Sequence, residues 1–218
     1  MRLRNVKGAR DVMVESEYVY DEIEGLKGRW REIFGNDNPI HIEVGMGKGQ
    51  FIMALAKKNP DINYVGIEKY SSVLIRAVQK QQEEGLPNIH FIRMEAENIA
   101  DVFEKGEVDK IYLNFSDPWP KDRHANRRLT SARFLDRYSH IIEAGDVVEF
   151  KTDNVDLFNF SLETLENKED WALVSKTYDL HADAVLNEGN IMTEYEQRFS
   201  EAGNKICKMI IRYEPVKE

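Results

Sequence analysis

The run Ile40-His41-Ile42-Glu43-Val44-Gly45-Met46-Gly47-Lys48-Gly49 joins an apolar, strand-like segment to a glycine-rich turn. A segment with apolar residues at helical spacing follows from Gly49 to Lys58, and Asn59-Pro60 ends it. A strand, a tight turn and a helix in this order are typical of a parallel α/β sheet. The glycines read E-x-G-x-G-x-G, and Gln50 stands where a dinucleotide fingerprint needs its third glycine. This spacing argues against a nicotinamide-dependent oxidoreductase.

Strand-like and helix-like segments alternate along the rest of the chain. Strands are predicted over Ile40–Val44, Tyr64–Ile67, Ile89–Ile92, Lys110–Phe115 and Val147–Phe150, and helices over residues 49–58, 71–84, 131–142 and 158–165. Two last strands, Trp171–Leu180 and Ile206–Tyr213, have no predicted helix between them, which indicates an antiparallel pair. We therefore expect an α/β fold with a mostly parallel seven-stranded sheet and helices on both faces. Residues 1–38 are expected to form an N-terminal extension, and residues 39–218 a single domain.

Composition and cysteine count narrow the class of protein. The 218 residues are 42% hydrophobic and 32% charged, as in ordinary globular domains. A lone cysteine, Cys207, excludes an intrachain disulfide and argues against a cysteine-based zinc site, and the five histidines show no metal-binding spacing. No metal is therefore expected. The chain start lacks an apolar core and no apolar run has membrane-spanning length, so we expect a cytoplasmic protein without a membrane partner. Monomer and homodimer both remain open.

The distribution of charge is more informative than its sum. A net charge of −9 argues against a general nucleic-acid binder. Residues 121–137, however, hold six basic side chains against two acidic ones, and the chain start adds Arg2, Arg4, Lys7 and Arg10. Such a chain would bind a polyanion only where these patches face it. The alternative is that each patch is merely a solvated surface.

The segment Asn114-Phe115-Ser116-Asp117-Pro118-Trp119-Pro120 follows the apolar run Ile111-Tyr112-Leu113. It places an amide, a carboxylate, two prolines and an indole at the carboxyl end of a predicted strand, where α/β sheets bind ligands. A basic run, residues 121–128, comes next. Together they indicate chemistry on a nucleobase that is still attached to a polynucleotide. The alternative is a proline-rich loop whose Trp119 only covers the core.

Two of these motifs resemble parts of the class I S-adenosylmethionine (SAM) methyltransferases. E-x-G-x-G-x-G resembles their nucleoside loop, in which the acid faces the positively charged amino acid portion of SAM. Glu68 lies 25 residues after Glu43 at the end of the second strand, where a carboxylate can accept from both ribose hydroxyls. Asn114–Pro120 resembles their [N/D]-P-P-[Y/W] motif. The expected cofactor-binding residues are Glu43, Gly45, Gly47, Glu68, Glu95, Asn114 and Asp117.

Five segments in order are similar to the bacterial tRNA (guanine-N7)-methyltransferase family, over about residues 38–212. They are Glu43–Gly49, Asn114–Pro120, the pairs Arg123-His124 and Arg127-Arg128, Phe150–Asn154 and Thr193–Phe199. The resemblance implies a Rossmann-like fold and transfer of a methyl group from SAM to N7 of guanine 46, in the variable region of tRNA. S-adenosyl-L-homocysteine would be the product.

The same resemblance implies roles for individual residues. Asp117 would lie at the reaction centre as the catalytic residue. The tRNA substrate would contact Lys121, Arg123, His124, Arg127, Arg128, Asp153, Thr193, Glu194, Tyr195 and Glu196. The family usually has a basic residue where Asp122 stands, and often a lysine where Asn126 stands. The basic strip is therefore less positive here, which affects the expected RNA affinity and not the reaction.

The chemistry of the base agrees with these roles. Guanine N7 carries an in-plane lone pair and no proton, so Asp117 is expected to stabilise developing positive charge rather than to remove a proton. We expect Glu196 to accept from guanine N1–H and its amine, with Asp153 as the other candidate. The alternatives are a SAM-dependent enzyme that acts on another RNA, a small molecule or a protein amide, and a non-catalytic RNA-binding module.

Overall fold

The computed structural model describes residues 16–216 as eight strands and seven helices. The strands are β1 Val19–Tyr20, β2 Ile40–Val44, β3 Asn63–Glu68, β4 Ile89–Arg93, β5 Lys110–Asn114, β6 Val147–Thr152, β7 Trp171–Thr177 and β8 Cys207–Tyr213. The helices are α1 Trp30–Phe34, α2 Gln50–Lys58, α3 Ser71–Glu84, α4 Ile99–Val102, α5 Ala132–Ser139, α6 Val155–Glu166 and α7 Glu194–Glu201. Short 3₁₀ turns cover Ala96–Asn98, Asp122–Arg127 and Leu180–Ala182. None of the helices described here has the length and apolar character needed to cross a bilayer.

The strands form one mixed sheet in the order β1-β4-β3-β2-β5-β6-β8-β7. All neighbours are parallel except β8, which runs antiparallel to both β6 and β7. The predicted α/β class, parallel sheet and antiparallel C-terminal pair are confirmed. Strand order reverses between β2 and β5, so a crevice opens at their carboxyl ends. The glycine turn follows β2 and the Pro-Trp-Pro loop follows β5, so both lie at this crevice.

The sheet has eight strands rather than the predicted seven because Val19 and Tyr20 add the short edge strand β1 to β4. A pair of residues is too short to produce an alternating pattern. Trp30 in the same N-terminal segment is fully buried, and its indole N–H donates to the Val102 carbonyl at 3.0 Å. Leu26 and Trp30 therefore anchor residues 16–38 to the core, while the boundary at residue 38 stays a prediction. The basic start, with Arg2, Arg4, Lys7 and Arg10, lies outside the described residues.

Two apolar clusters cover the two faces of the sheet. One contains the buried faces of α2 and α3 with Tyr64, Ile89 and Phe91 from the strands. The larger cluster contains Trp30, helices α4 to α6 and the opposite side of the strands. Cys207 lies in this larger cluster and is fully buried. Helices on both faces of the parallel strands agree with the prediction.

Polar side chains replace apolar ones on one face of β5, β6 and β8. Glu149 lies 3.0 Å from Lys110 Nζ and 2.9 Å from Lys208 Nζ. Burial raises the pKa of Glu149, but the two lysines outweigh it and the net pKa is lowered. Lys208 also donates to the Leu186 carbonyl at 3.1 Å, and this bond holds the loop after β7 against this face of the sheet.

Helix α7 is the main element that the sequence prediction missed. Its residues Glu194–Glu201 include only two aromatic apolar positions, Tyr195 and Phe199, so they show little apolar periodicity. The available signal was the T-x-x-E spacing of a capping box. Thr193 Oγ1 does accept from Glu196 N at 2.9 Å, but the Glu196 carboxylate binds elsewhere.

Candidate active site

Glu43 forms the floor of the crevice at the end of β2. It is buried, and its Oε1 accepts from Asn114 Nδ2 on β5 at 2.8 Å. Its Oε2 is buried without a partner, as is Asn114 Oδ1. Burial raises the pKa of Glu43 to about 8, although the Asn114 bond, the nearby Lys151 charge and the facing backbone N–H of Ile52 act in the opposite direction. These two side chains therefore leave unmet hydrogen-bonding capacity that points to a ligand.

The glycine turn brings backbone N–H groups close to the end of β3. Gly47 has φ of +59° and its N–H donates to Glu68 Oε2 at 3.1 Å. Gly49 has φ of +74°, and a Cβ there would lie 2.9 Å from Ala77 Cβ on α3. Only glycine fits this second position because both the backbone conformation and the helix contact exclude a side chain. The turn therefore sets the distance between β2 and the helices that follow.

Glu68 is the last residue of β3 and Glu95 lies two residues after the neighbouring strand β4, but their surroundings differ. Glu68 is buried, and its Oε1 accepts from the backbone N–H of Tyr70 at 2.9 Å. Burial raises the pKa of Glu68, and its backbone hydrogen bonds partly oppose that shift. Glu95 is exposed and lies 3.6 Å from Lys69 Nζ. The structure thus gathers Glu43, Gly47 and Glu68 closely, and leaves Glu95 at the rim.

The loop after β5 has an unusual backbone. Phe115 and Trp119 have φ of +52° and +43°, and they are the non-glycine residues with positive φ in residues 16–216. Such conformations are strained for residues with a side chain and cluster at functional sites. Between them, Ser116 Oγ is buried without a partner and Asp117 is exposed. A residue with a strained backbone therefore lies on each side of Asp117, the predicted catalytic residue.

Arg128 holds this loop in place. Its Nε donates to the Pro118 carbonyl and its Nη2 to the Trp119 carbonyl, both at 3.0 Å. The guanidinium also lies 4.2 Å from the centre of the Phe160 ring. Within the predicted basic strip, Arg128 is thus engaged with the protein itself.

The rest of the strip faces solvent. Lys121, Arg123 and Arg127 are exposed, and residues 122–127 form a 3₁₀ turn. The Arg127 guanidinium lies 4.9 Å from the Trp119 ring, and the His124 ring lies 5.7 Å from it. Trp119 is half-buried against these two side chains rather than in the core.

The Thr193–Glu196 turn reaches the same end of the sheet. Tyr195 is 55% exposed and stacks on Phe115 at 6.4 Å between ring centres. Glu194 pairs with Lys48 of the glycine turn at 2.6 Å. The glycine turn, the Asp117 loop and this turn therefore meet around one crevice.

Glu196 does not face that crevice. It is 0% exposed, and its Oε2 lies 2.6 Å from Lys151 Nζ. Its Oε1 accepts from Asn190 Nδ2 at 2.6 Å and lies 3.0 Å from His181 Nε2. Both oxygens are thus occupied in this conformation. Asp153, the other candidate for reading guanine, is half-buried one residue beyond β6.

Sequence reasoning assigned no role to four residues that the structure places at the site. They are Lys48, Phe115, Ser116 and Lys151. A signal existed for Lys151, because Val148-Glu149-Phe150-Lys151 alternates apolar and charged residues where a covered parallel strand should be continuously apolar. The residues in the described range form no cluster of histidine, cysteine and carboxylate side chains suited to a metal ion.

Comparison with known proteins agrees with this geometry. A family model described as "Putative methyltransferase" matches residues 37–209. A tRNA (guanine-N(7)-)-methyltransferase of Lachnoclostridium phytofermentans is 57% identical over 96% of this chain and 97% of its own. The protein of the same name from Bacillus subtilis is 46% identical, over 98% of this chain and 99% of its own.

Solved structures show the same fold at low sequence identity. The 16S rRNA methyltransferase KamB has a TM-score of 0.63 at 16% identity, over 89% of this chain and 96% of its own. A 16S rRNA (adenine(1408)-N(1))-methyltransferase from Catenulisporales acidiphilia has a TM-score of 0.59 at 13% identity, over 87% and 92%. The expected class I SAM-dependent methyltransferase fold is confirmed. By its matches along nearly the whole sequence, the chain belongs to the family of the tRNA (guanine-N(7)-)-methyltransferases.

Proposed function

We propose that this chain transfers a methyl group from S-adenosyl-L-methionine to N7 of a guanine in tRNA, and that the guanine is position 46 of the variable region. Family membership supports the reaction. The observation that carries the proposal at the level of residues is the crevice between β2 and β5. It joins unpartnered buried oxygens, the exposed Asp117 carboxylate and a cationic surface.

The residues in the crevice fit this cofactor. Unpartnered acceptors on Glu43 and Asn114 suit an ammonium group, and Glu68 at the end of β3 suits ribose hydroxyls. The backbone of Gly45 and Gly47 leaves open space for close approach, since a Cβ at either would meet nothing within 4 Å. Glu95 at the rim would contact the adenine edge. When bound, the cofactor supplies an electrophilic methyl group.

Asp117 would act through its charge. Guanine N7 can attack without losing a proton, so a general base is not needed, and alignment becomes the main task of the protein. The product ring is cationic, and a carboxylate beside it stabilises the charge that develops in the transition state. The positive φ of Phe115 and Trp119 and the two Arg128 bonds fix the loop that carries Asp117.

Asp153 is the better candidate for reading guanine. Guanine offers N1–H and an amine side by side, and one carboxylate can accept from both. The Glu196 oxygens already accept from Asn190, His181 and Lys151, whereas Asp153 is half-buried beside β6. We therefore expect Asp153→Asn to reduce discrimination against adenine more than Glu196→Gln does.

The cationic surface would hold tRNA phosphates and add affinity without sequence information. Lys121, Arg123 and Arg127 are its exposed members, with His124 half-buried beside them. The Thr193–Glu196 turn would contact the extruded base, since such enzymes take the base out of its stack. Transfer RNA is a cytoplasmic substrate, so we place the enzyme in the cytoplasm as part of this proposal.

The test is methylation of unmodified tRNA with labelled SAM, followed by borohydride reduction and aniline cleavage. Cleavage at guanine 46 in the labelled product is the expected result, and a transcript with adenine at position 46 should give none. Label in tRNA without cleavage would mean that another atom is methylated. Transfer only to ribosomal RNA or to a small molecule would favour the alternative substrates.

A further inference from the structure

We infer that Lys151 is a positioning residue, which fixes the Thr193–Glu196 turn against the reacting end of the sheet. The inference rests on the proposed function, because that turn is the part of the site expected to meet the base. It adds to the proposed function a residue that touches neither cofactor nor base.

Lys151 lies between the two halves of the site. It is a residue of β6, where it pairs with Asn114 of β5, and its carbonyl accepts from Phe115 N at 2.9 Å. Its backbone therefore determines where the strained loop before Asp117 begins. Its side chain is only 1% exposed and points to the polar face of the sheet, where it lies 4.9 Å from the Phe51 ring centre.

All the hydrogen bonds of the Lys151 ammonium go to one segment. Nζ donates to Glu196 Oε2 at 2.6 Å, to the Ile191 carbonyl at 3.0 Å and to Asn190 Oδ1 at 3.2 Å. An ammonium has three donors, so its capacity is filled. A buried lysine with all three donors on residues 190–196 attaches that segment to β6.

Glu196 completes the attachment from the other side. Its Oε1 accepts from Asn190 Nδ2 and contacts His181, so the same carboxylate also joins the start of the segment to its end. Burial raises the pKa of Glu196, but Lys151 and the other donors outweigh it and the net pKa is lowered. The carboxylate therefore stays ionised as the partner of Lys151.

The attachment has a direct consequence for the site. Between Thr193 and Glu196 lies Tyr195, whose ring stacks on Phe115 at an interplanar angle of 18°. Residues 183–193 contain no helix or strand, so side-chain bonds rather than a backbone ladder set the position of this ring. A buried pair that only stabilised the fold could be replaced by neutral groups with little loss. A pair that positions the turn could not be replaced by neutral groups without a loss of tRNA binding.

The test compares three variants. Lys151→Met with Glu196→Gln removes the attachment and leaves no unpaired buried charge. Glu196→Gln alone keeps the Lys151 bonds to Asn190 and Ile191. Lys168→Met is the control, since Lys168 is likewise a lysine in an ion pair, with Asp136 at 2.6 Å and Asp170 at 3.1 Å, but lies at the opposite end of the sheet before β7.

We expect amides of residues 183–196 to exchange hydrogen at least tenfold faster in the double variant, with the strands unchanged. Its KM for tRNA should rise at least tenfold above that of Glu196→Gln, while S-adenosylhomocysteine affinity stays within twofold of wild type. Lys168→Met should change neither quantity, although its melting temperature falls. Equal KM and equal exchange in the double and single variants would overturn the inference. A large loss of S-adenosylhomocysteine affinity would also overturn it, since Lys151 would then serve the cofactor through Glu43.

Failure of the inference is separable from failure of the proposed function. If wild-type protein methylates guanine N7 in tRNA and the double variant does so with the kinetics of Glu196→Gln, only the role of Lys151 is wrong. If wild-type protein does not methylate tRNA at N7, the proposed function is wrong. The exchange measurement still reports whether Lys151 attaches residues 190–196.

Discussion

The cofactor half and the substrate half of the site are built on different principles. Glu43, Glu68 and Asn114 end strands of the sheet, are buried, and owe their positions to the backbone ladder. Asp117 and Tyr195 lie on a loop and at a helix start, are exposed, and depend on side chains that hold those segments. Strand ends position a small ligand without further help. A surface for a large ligand is built on loops, and side-chain hydrogen bonds must hold those loops in place. Here Arg128 and Lys151 make these bonds.

The largest effect is expected on the substrate half from Asp117→Ala. Loss of the charge beside the reacting base should lower kcat about 10²–10³-fold with the fold intact. Single-turnover methyl transfer would measure it. Asp122→Ala is the matched control, because Asp122 is an exposed acid five residues further on in the 3₁₀ turn. If Asp117→Ala turned over like Asp122→Ala, Asp117 would not belong to the reaction centre.

The cofactor half should respond to Glu43→Gln. Loss of a charge-assisted bond of about 1.5–3 kcal/mol should weaken S-adenosylhomocysteine binding about 10–100-fold. Burial raises the pKa of Glu43 to about 8, so at pH 7 the ligand-free site holds a proton that a bound ammonium would expel. Calorimetry in buffers of different ionisation enthalpy should show wild type releasing nearly one proton more than Glu43→Gln. Equal proton release in both proteins would contradict the assignment.

The same group gives the ligand-free fold a pH dependence with a defined sign. The pKa of Glu43 is higher in the folded chain than its ordinary 4.5, so the folded chain retains a proton that the unfolded chain has lost. Its contribution to stability is therefore fully present below pH 4.5 and is lost as pH rises through about 8. Denaturant titrations at several pH values between 4.5 and 8 would give the free energy of unfolding of each protein. That free energy should fall more steeply with rising pH in wild type than in Glu43→Gln.

Alanine substitutions of the adjacent residues Arg128 and Arg127 should have different kinetic effects. Arg128→Ala frees the Pro118 and Trp119 carbonyls, so the Asp117 loop should shift and kcat should fall about tenfold. Arg127→Ala should instead raise KM for tRNA and reduce the log-log salt slope by about one. Initial rates at several salt concentrations would measure both. Identical behaviour of the two variants would mean that both arginines bind RNA.

The last effect concerns stability rather than kinetics, and it is expected from the glycine turn. Gly49→Ala must keep a left-handed φ of +74° and place its Cβ 2.9 Å from Ala77 Cβ. We expect it to lower the free energy of unfolding by about 1–3 kcal/mol. Gly85→Ala is the control, because Gly85 has φ of +62° and open space around its Cβ position. Equal losses would show that backbone conformation alone, and not the contact with α3, requires glycine at position 49.

Much of the cofactor half could be predicted because its signals are local. Apolar periodicity marked β2, α2, β3 and α3 within a few residues, and glycine spacing marked the turn. The substrate half was harder to read. Helix α7 lacks an apolar stripe, and the Lys151–Glu196 pair joins residues 45 positions apart, a distance at which no local pattern operates. Arg128 counted toward an RNA-binding strip because sequence cannot distinguish a solvent-facing arginine from one bonded to nearby carbonyls.

Strand β8 has a consequence for biosynthesis. Residues 207–213 lie between β6 and β7, so the ribosome must finish Tyr213 before these two strands gain their common neighbour. Until then the nascent chain exposes the open edges of β6 and β7, which can pair with other chains. A chain that ends before Cys207 would keep those edges open and should aggregate or be degraded instead of forming a smaller working enzyme.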